Sequence, residues 1–302
     1  MAQPTAFLQI PGRRIAYARS GAGAGPAQHP RPRAGVVFLG GLLSNMAGVW
    51  RFRRLGPGAL ALEAFVSRNL PACEFLRFDY RGHGESSGSF TDTTPADWMD
   101  DAEAAFDRLT DPAAPQIVVG SSMGGLFALH LALRFPSRVA ALVLVAPAVG
   151  TFAAWHAALS PEERAALASG GSIRFASDYA PPGSDRVRLG FFQPFLRGGA
   201  LALPDGEGAV RVAPDCPVRI LHGECDDVVP IATSHALLRQ LAADDVALTV
   251  VKRGDHRLSG PRDLALLEAA VAQVHRQLEA AGRLLRPGAD AGGGGAAGGA
   301  GS

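Results

Sequence analysis

The sequence predicts an α/β protein: a mostly parallel central sheet with helices on both faces and a small cap inserted near residues 150–215. Three observations predict it. Short β-branched apolar runs alternate with helix-length segments, the rhythm of parallel strands joined by right-handed crossovers. Gly120-Ser121-Ser122-Met123-Gly124-Gly125 lies between a strand-like run at 116–119 and an unbroken Leu- and Ala-rich stretch at 126–135, which stops at Pro136. Residues 148 to about 215 break the rhythm, with frequent Gly and Pro and no clean strand. An excursion of that length between two sheet strands reads as a lid or cap.

In chain order, residues 7–10 and 14–18 flank the turn dipeptide Pro11-Gly12 and read as an N-terminal β-hairpin. Residues 20–34 read as a flexible connection. Its glycines lack both the Gly-Lys-Ser/Thr of a phosphate loop and the Gly-x-Gly-x-x-Gly spacing. An apolar run at 35–39 ends in Gly40-Gly41-Leu42-Leu43-Ser44. Helical periodicity over 60–69 gives way to strand-like alternation over 73–80, which breaks at Arg81-Gly82-His83-Gly84. Thr94-Pro95-Ala96-Asp97 opens a helix, with Thr at the N-cap, Pro in the first turn and an acid near the positive end. A further β run follows at 141–145.

Within the excursion, Ser160-Pro161-Glu162-Glu163 is a capped helix start. Phe191, Phe192 and Phe195 are expected to form a cap core rather than to touch an acyl chain. The alternation resumes with a strand at 218–221, a helix near 231–241, a strand at 246–251 and a helix near 262–281. One domain over 1–287 is therefore expected, followed by a disordered Gly/Ala-rich tail at 288–302.

Bulk properties narrow the class. A hydrophobic content of 47% in 302 residues is enough for one large core. A formal net charge of +1 argues for neither nucleic acid nor an anionic membrane as partner. Cys73, Cys216 and Cys225 are an odd, widely spaced set that fits a reducing interior better than a disulfide framework. No apolar stretch is long enough for a transmembrane helix. The N-terminus lacks the basic start and apolar core of a secretion signal, and no transit peptide is visible.

A strand that passes into a helix through Gly-x-Ser-x-Gly is a nucleophile elbow, which displays a serine Oγ above a sheet. Only Ser122 fits this frame, because Ser121 would need glycine at Val119 and Met123. The glycines at 120 and 124 are expected where a side chain would collide as strand and helix approach. A serine hydroxyl needs a base to take its proton, and that base needs an orienting acid. Two segments at the carboxyl ends of later strands supply them: 222–230, containing Asp226 and Asp227, and Gly254-Asp255-His256-Arg257. His256 reads as the base and Asp226 as the acid, with adjacent Asp227 a rival that spacing alone does not separate. His222 is expected to hold its strand end, His83 to fix its loop and Cys225 to fill space. His222, Glu224, Cys225 and Asp226 on one short loop lack the separated pairs of a zinc site, so no metal is expected.

Gly120 to Gly125, Phe78-Asp79-Tyr80-Arg81-Gly82-His83-Gly84, His222-Gly-x-x-Asp-x-x-Val-Pro230 and the late Asp255-His256 together resemble the α/β-hydrolase superfamily. Within it they are similar to the branch of alpha/beta-hydrolase domain-containing protein 10, over roughly 14–278. The resemblance implies the α/β-hydrolase fold and a serine hydrolase, acting as an acyl-protein thioesterase or acyl-glucuronide esterase. It implies Ser122, Asp226 and His256 as triad, its frame favouring Asp226 over Asp227. The backbone N–H groups of Met123 and Leu42 would form the oxyanion hole, with Gly40 standing where many relatives carry histidine. Small-molecule esters or thioesters, or S-acylated proteins, are the implied substrates, for a monomer that needs no cofactor. The branch is mitochondrial, and with no transit peptide visible a cytoplasmic location is the alternative. The same frame also accommodates a generic carboxylesterase, a C–C hydrolase or a non-catalytic ligand receptor, and turnover separates these.

Overall fold

The computed structural model describes residues 5–21, 33–46, 58–175 and 185–285, with the backbone alone at 49–50 and 53–54. Most of the 20–34 connection and the whole 288–302 tail lie outside the described residues.

Eight strands make one sheet: β1 (Ala6–Ile10), β2 (Arg13–Gly21), β3 (Ala34–Leu39), β4 (Cys73–Phe78), β5 (Gln116–Ser121), β6 (Val139–Val145), β7 (Val218–Gly223) and β8 (Val246–Val251). Their spatial order is β1-β2-β4-β3-β5-β6-β7-β8. Only the β1–β2 and β2–β4 pairs are antiparallel; the others are parallel. Every residue of β6 is buried, as expected of a central parallel strand covered on both faces.

The helices divide between the two faces. Leu62 and Val66 of α1 (Gly58–Asn69) share one apolar cluster with Leu267, Val271 and Val274 of α8 (Pro261–Ala280). On the other face lie α2 (Pro95–Leu109), α3 (Met123–Arg134) and α7 (Ile231–Gln240), whose Trp98, Phe106, Phe127 and Leu237 share the larger cluster. Thr94 caps α2 as expected: its Oγ1 accepts from Asp97 N–H while the Asp97 carboxylate accepts from Thr94 N–H. The α8 start uses one half of that device, with Asp263 accepting from Gly260 N–H at 3.2 Å.

The excursion after β6 contains α4 (Thr151–Ala157), α5 (Pro161–Ala168) and the short α6 (Leu189–Phe192). Ser160 and Glu163 form the expected capping box at α5. Phe191, Phe192 and Phe195 are buried, with Phe152 stacked on Phe195 at 4.5 Å and Trp155 edge-on to Phe192 at 4.8 Å. These rings are the core of the excursion.

Three expectations need correction. The strand expected over 73–80 ends at Phe78, because Asp79 turns its carboxylate onto loop N–H groups instead of continuing the ladder. The excursion does contain β structure, a two-residue antiparallel ribbon of Ile173–Arg174 with Arg186–Val187. Cys225 is exposed and fills no core space; Asp226 and Val229 take the inward positions of that loop.

Candidate active site

The parallel register brings six loop starts to the same, carboxyl edge of the sheet: those after β3, β4, β5, β6, β7 and β8. Between β5 and α3 the chain turns at Ser122, which has φ 55° and ψ −118°. That backbone is strained by about 1–3 kcal/mol for a residue with a side chain. Three hydrogen bonds over-determine it: Ser122 N–H to Val145 O at 2.8 Å, and Ala148 N–H and Gly125 N–H to Ser122 O at 3.0 and 2.9 Å. The glycines act as the steric argument requires. A Cβ at Gly120 would meet Gly124 O at 2.3 Å, and one at Gly124 would meet Leu39 O at 2.2 Å.

Ser122, His256 and Asp226, scattered over 134 and 30 residues of chain, are brought into one line. Ser122 Oγ lies 3.0 Å from His256 Nε2, and His256 Nδ1 lies 2.8 Å from Asp226 Oδ2. With a carboxylate on the Nδ1 side, the neutral ring carries its proton on Nδ1 and offers Nε2 as acceptor for the serine hydroxyl. The Asp226 side chain is fully enclosed, whereas Asp227 is exposed. Asp226 Oδ1 accepts from Val228 N–H at 2.9 Å and Val229 N–H at 2.8 Å. Burial on its own would raise the Asp226 pKa. Hydrogen bonds from His222, His256 and Val229 overcome it and hold the carboxyl well below the usual range.

A second hydroxyl–imidazole contact exists. Ser234 Oγ lies 2.7 Å from His222 Nδ1, and both residues are completely buried. Neither can meet a substrate. The His222 Nε2–H is directed at Val229 O at 2.9 Å and at Asp226 Oδ2 at 3.2 Å. The backbone contact was expected from the sequence; the contact to the acid was missed, although an i,i+4 spacing on one loop could have suggested it.

The loop after β3 covers the serine: a Cβ at Gly41 would stand 3.1 Å from Ser122 Cβ. The Leu42 N–H has no hydrogen-bond acceptor among the described residues. Met123, at the first position of α3, has an N–H with no intrahelical acceptor. Both N–H groups thus lie on segments next to Ser122 without a described backbone acceptor. Among the described residues no three His, Cys, Asp or Glu side chains are grouped to hold a metal ion. No helix among them is long and apolar enough to cross a membrane.

This fold, with a serine displayed on an elbow and a histidine against it, defines a class, and comparison with known proteins agrees. The chain belongs to the α/β-hydrolase superfamily and is a serine hydrolase of the esterase and thioesterase class. The family model described as serine aminopeptidase, S33, matches residues 69–173, which include the elbow. Human palmitoyl-protein thioesterase ABHD10, mitochondrial, is 34% identical over 233 residues, covering 77% of this chain and 70% of the relative. The solved structure of alpha/beta hydrolase domain-containing protein 10 from mouse matches with a TM-score of 0.74 at 31% identity, over 91% of this chain and 99% of that one. A putative hydrolase from Agrobacterium vitis S4 matches with the same TM-score, identity and coverage.

Proposed function

We propose that this chain hydrolyses carboxylic thioesters or esters with Ser122 as nucleophile, His256 as base and Asp226 as orienting acid. The observation that carries the reading is the hydrogen-bonded line from Ser122 Oγ through His256 to Asp226, at 3.0 and 2.8 Å. In this reading Ser122 Oγ attacks the acyl carbon as its proton passes to His256 Nε2, while Asp226 stabilises the imidazolium. The N–H groups of Leu42 and Met123 receive the oxyanion. Collapse expels the thiolate or alkoxide, which leaves with the proton from His256. Water, deprotonated by the same ring, then attacks the acyl-enzyme and releases the acid and Ser122.

Within that class the substrate we favour is an S-acylated protein or acyl glucuronide with a medium to long acyl group. The likeness to palmitoyl-protein thioesterases supports it. The same proposal takes the enzyme as a monomer in mitochondria, which light scattering and cell fractionation test. An active-site-directed fluorophosphonate should label wild type and not Ser122→Ala. A p-nitrophenyl ester and acyl-thioester series from short to long chains should then be hydrolysed best at medium to long lengths. Failure to label folded wild type would remove the triad reading, and a preference confined to acetyl would remove the thioesterase assignment.

A further inference from the structure

The loop that supplies Leu42 holds a conformation it would not adopt alone. Leu43 sits at φ 62°, in the left-handed region that an L residue with a branched side chain rarely enters. Such strain persists only where surrounding contacts over-determine it. Here most of those contacts come from one segment, the turn after β4.

Tyr80 donates its hydroxyl to Gly40 O at 3.1 Å. His83 Nε2 accepts from Leu43 N–H at 3.2 Å. Asp79 Oδ1 accepts from Met46 N–H at 2.5 Å, and its other oxygen accepts from Glu85 N–H at 2.9 Å. Arg77, just before the turn and paired with Glu63, donates to Met46 O at 2.9 Å. Within the loop, Ser44 Oγ donates to Gly41 O at 2.7 Å. The loop is thus tied at 40, 43 and 46, and among its central residues the N–H of Leu42 is left facing no acceptor among the described residues.

The His83 contact has a defined direction. Its Nδ1 lies 3.1 Å from Arg81 O, so the ring proton sits on Nδ1 and Nε2 is left as an acceptor. The ring cannot rotate away: Trp98, Phe90 and Tyr80 meet it edge-on at centroid distances of 4.9, 5.6 and 5.7 Å. Burial, partly offset by the Arg81 carbonyl, pushes its pKa down to about 4 and keeps it neutral.

We infer that the segment Asp79-Tyr80-Arg81-Gly82-His83 presets the oxyanion loop, and that His83 is a positioning residue that takes the Leu43 N–H so that the Leu42 N–H stays open for the oxyanion. This rests on the proposed hydrolase mechanism and adds a residue to it that touches no substrate. Preorganised donors matter because they need no reorganisation as charge develops, and losing one costs about 10²–10³ in kcat. A donor that is present but unheld should lose part of that.

Two substitutions separate holding from packing. His83→Phe keeps a ring among Tyr80, Phe90 and Trp98 but removes the acceptor; His83→Gln returns an acceptor where Nε2 stood. Steady-state hydrolysis of a p-nitrophenyl ester should show kcat about 10- to 100-fold lower in His83→Phe with KM within about threefold. His83→Gln should recover to within about fivefold of wild type. Affinity for a trifluoromethyl ketone, which forms the tetrahedral adduct, should fall in parallel with kcat. If His83→Phe does not fold by circular dichroism, Tyr80→Phe removes one tie alone and should lower kcat severalfold at constant KM. Wild-type kcat in His83→Phe or, where that variant is unfolded, in Tyr80→Phe would overturn the inference. So would a loss that His83→Gln fails to rescue. A folded wild type that turns over no ester would instead remove the hydrolase reading on which the inference stands.

Discussion

His222 stands directly behind Asp226: its Nε2 reaches Oδ2 at 3.2 Å, the same oxygen that faces His256 Nδ1 at 2.8 Å. The acid is therefore gripped from both sides, by an imidazole that faces the serine and by one that never meets solvent. Its second oxygen is held by two backbone N–H groups. A carboxylate with this many donors is fixed in place and stays ionised. That is what an orienting acid requires.

Asp226→Asn should therefore lower kcat by roughly four orders of magnitude, because the amide turns the imidazole to the wrong tautomer. Asp227→Asn, on an exposed side chain, should stay within about threefold of wild type. Turnover of the two variants, with thermal melting to exclude misfolding, checks this. A crippled Asp227→Asn beside an active Asp226→Asn would shift the acid by one residue.

His222→Ala should act through both stability and rate. It leaves the Ser234 hydroxyl and the Val229 carbonyl without their buried partner, at about 1–3 kcal/mol each. A melting temperature lower by several degrees is expected, with kcat reduced about tenfold through a looser Asp226. Unchanged melting would mean that water replaces the imidazole without cost.

Stability should depend on pH through His83. Its pKa is about 4 in the folded chain against 6.5 for an ordinary histidine. Between those values the unfolded chain binds a proton that the folded one refuses, so stability rises with pH across the window. The full span amounts to roughly 3 kcal/mol. His130 and His275 shift in the same direction, while Asp79 and Glu74 shift oppositely, so the difference between wild type and His83→Gln isolates the residue. Denaturant unfolding between pH 4 and 6.5 should give a shallower pH slope for His83→Gln. Identical slopes would contradict the buried neutral ring.

Gly124→Ala should abolish activity by disrupting the fold of the elbow. The added methyl would lie 2.2 Å from Leu39 O and 2.6 Å from Gly40 O, which are backbone atoms of β3 and of the loop that follows it. Loss of both melting cooperativity and probe labelling is the expected outcome. A well-folded, labelled Gly124→Ala would show that β3 can yield there.

Local rules are written locally, and these were legible in the sequence. The capping boxes at Thr94 and Ser160, the hairpin over Pro11-Gly12, the alternation of strand and helix and the elbow glycines each depend on residues a few positions apart. Ser122 and His256 were legible as candidates too, since the elbow frame and chain order admit few, and the structure sets them 3.0 Å apart. Sequence alone left Asp226 and Asp227 as neighbours, and a family frame favoured one of them. Only the tertiary structure turned Asp226 inward and left Asp227 in solvent, because Val228 and Val229 N–H groups wrap its carboxylate. The Leu43–His83 bond joins residues 40 apart on loops after two different strands, and it exists because β3 and β4 are neighbours in the sheet. No periodicity or spacing encodes that adjacency; sheet order does, and sheet order is settled by the packing of the whole chain.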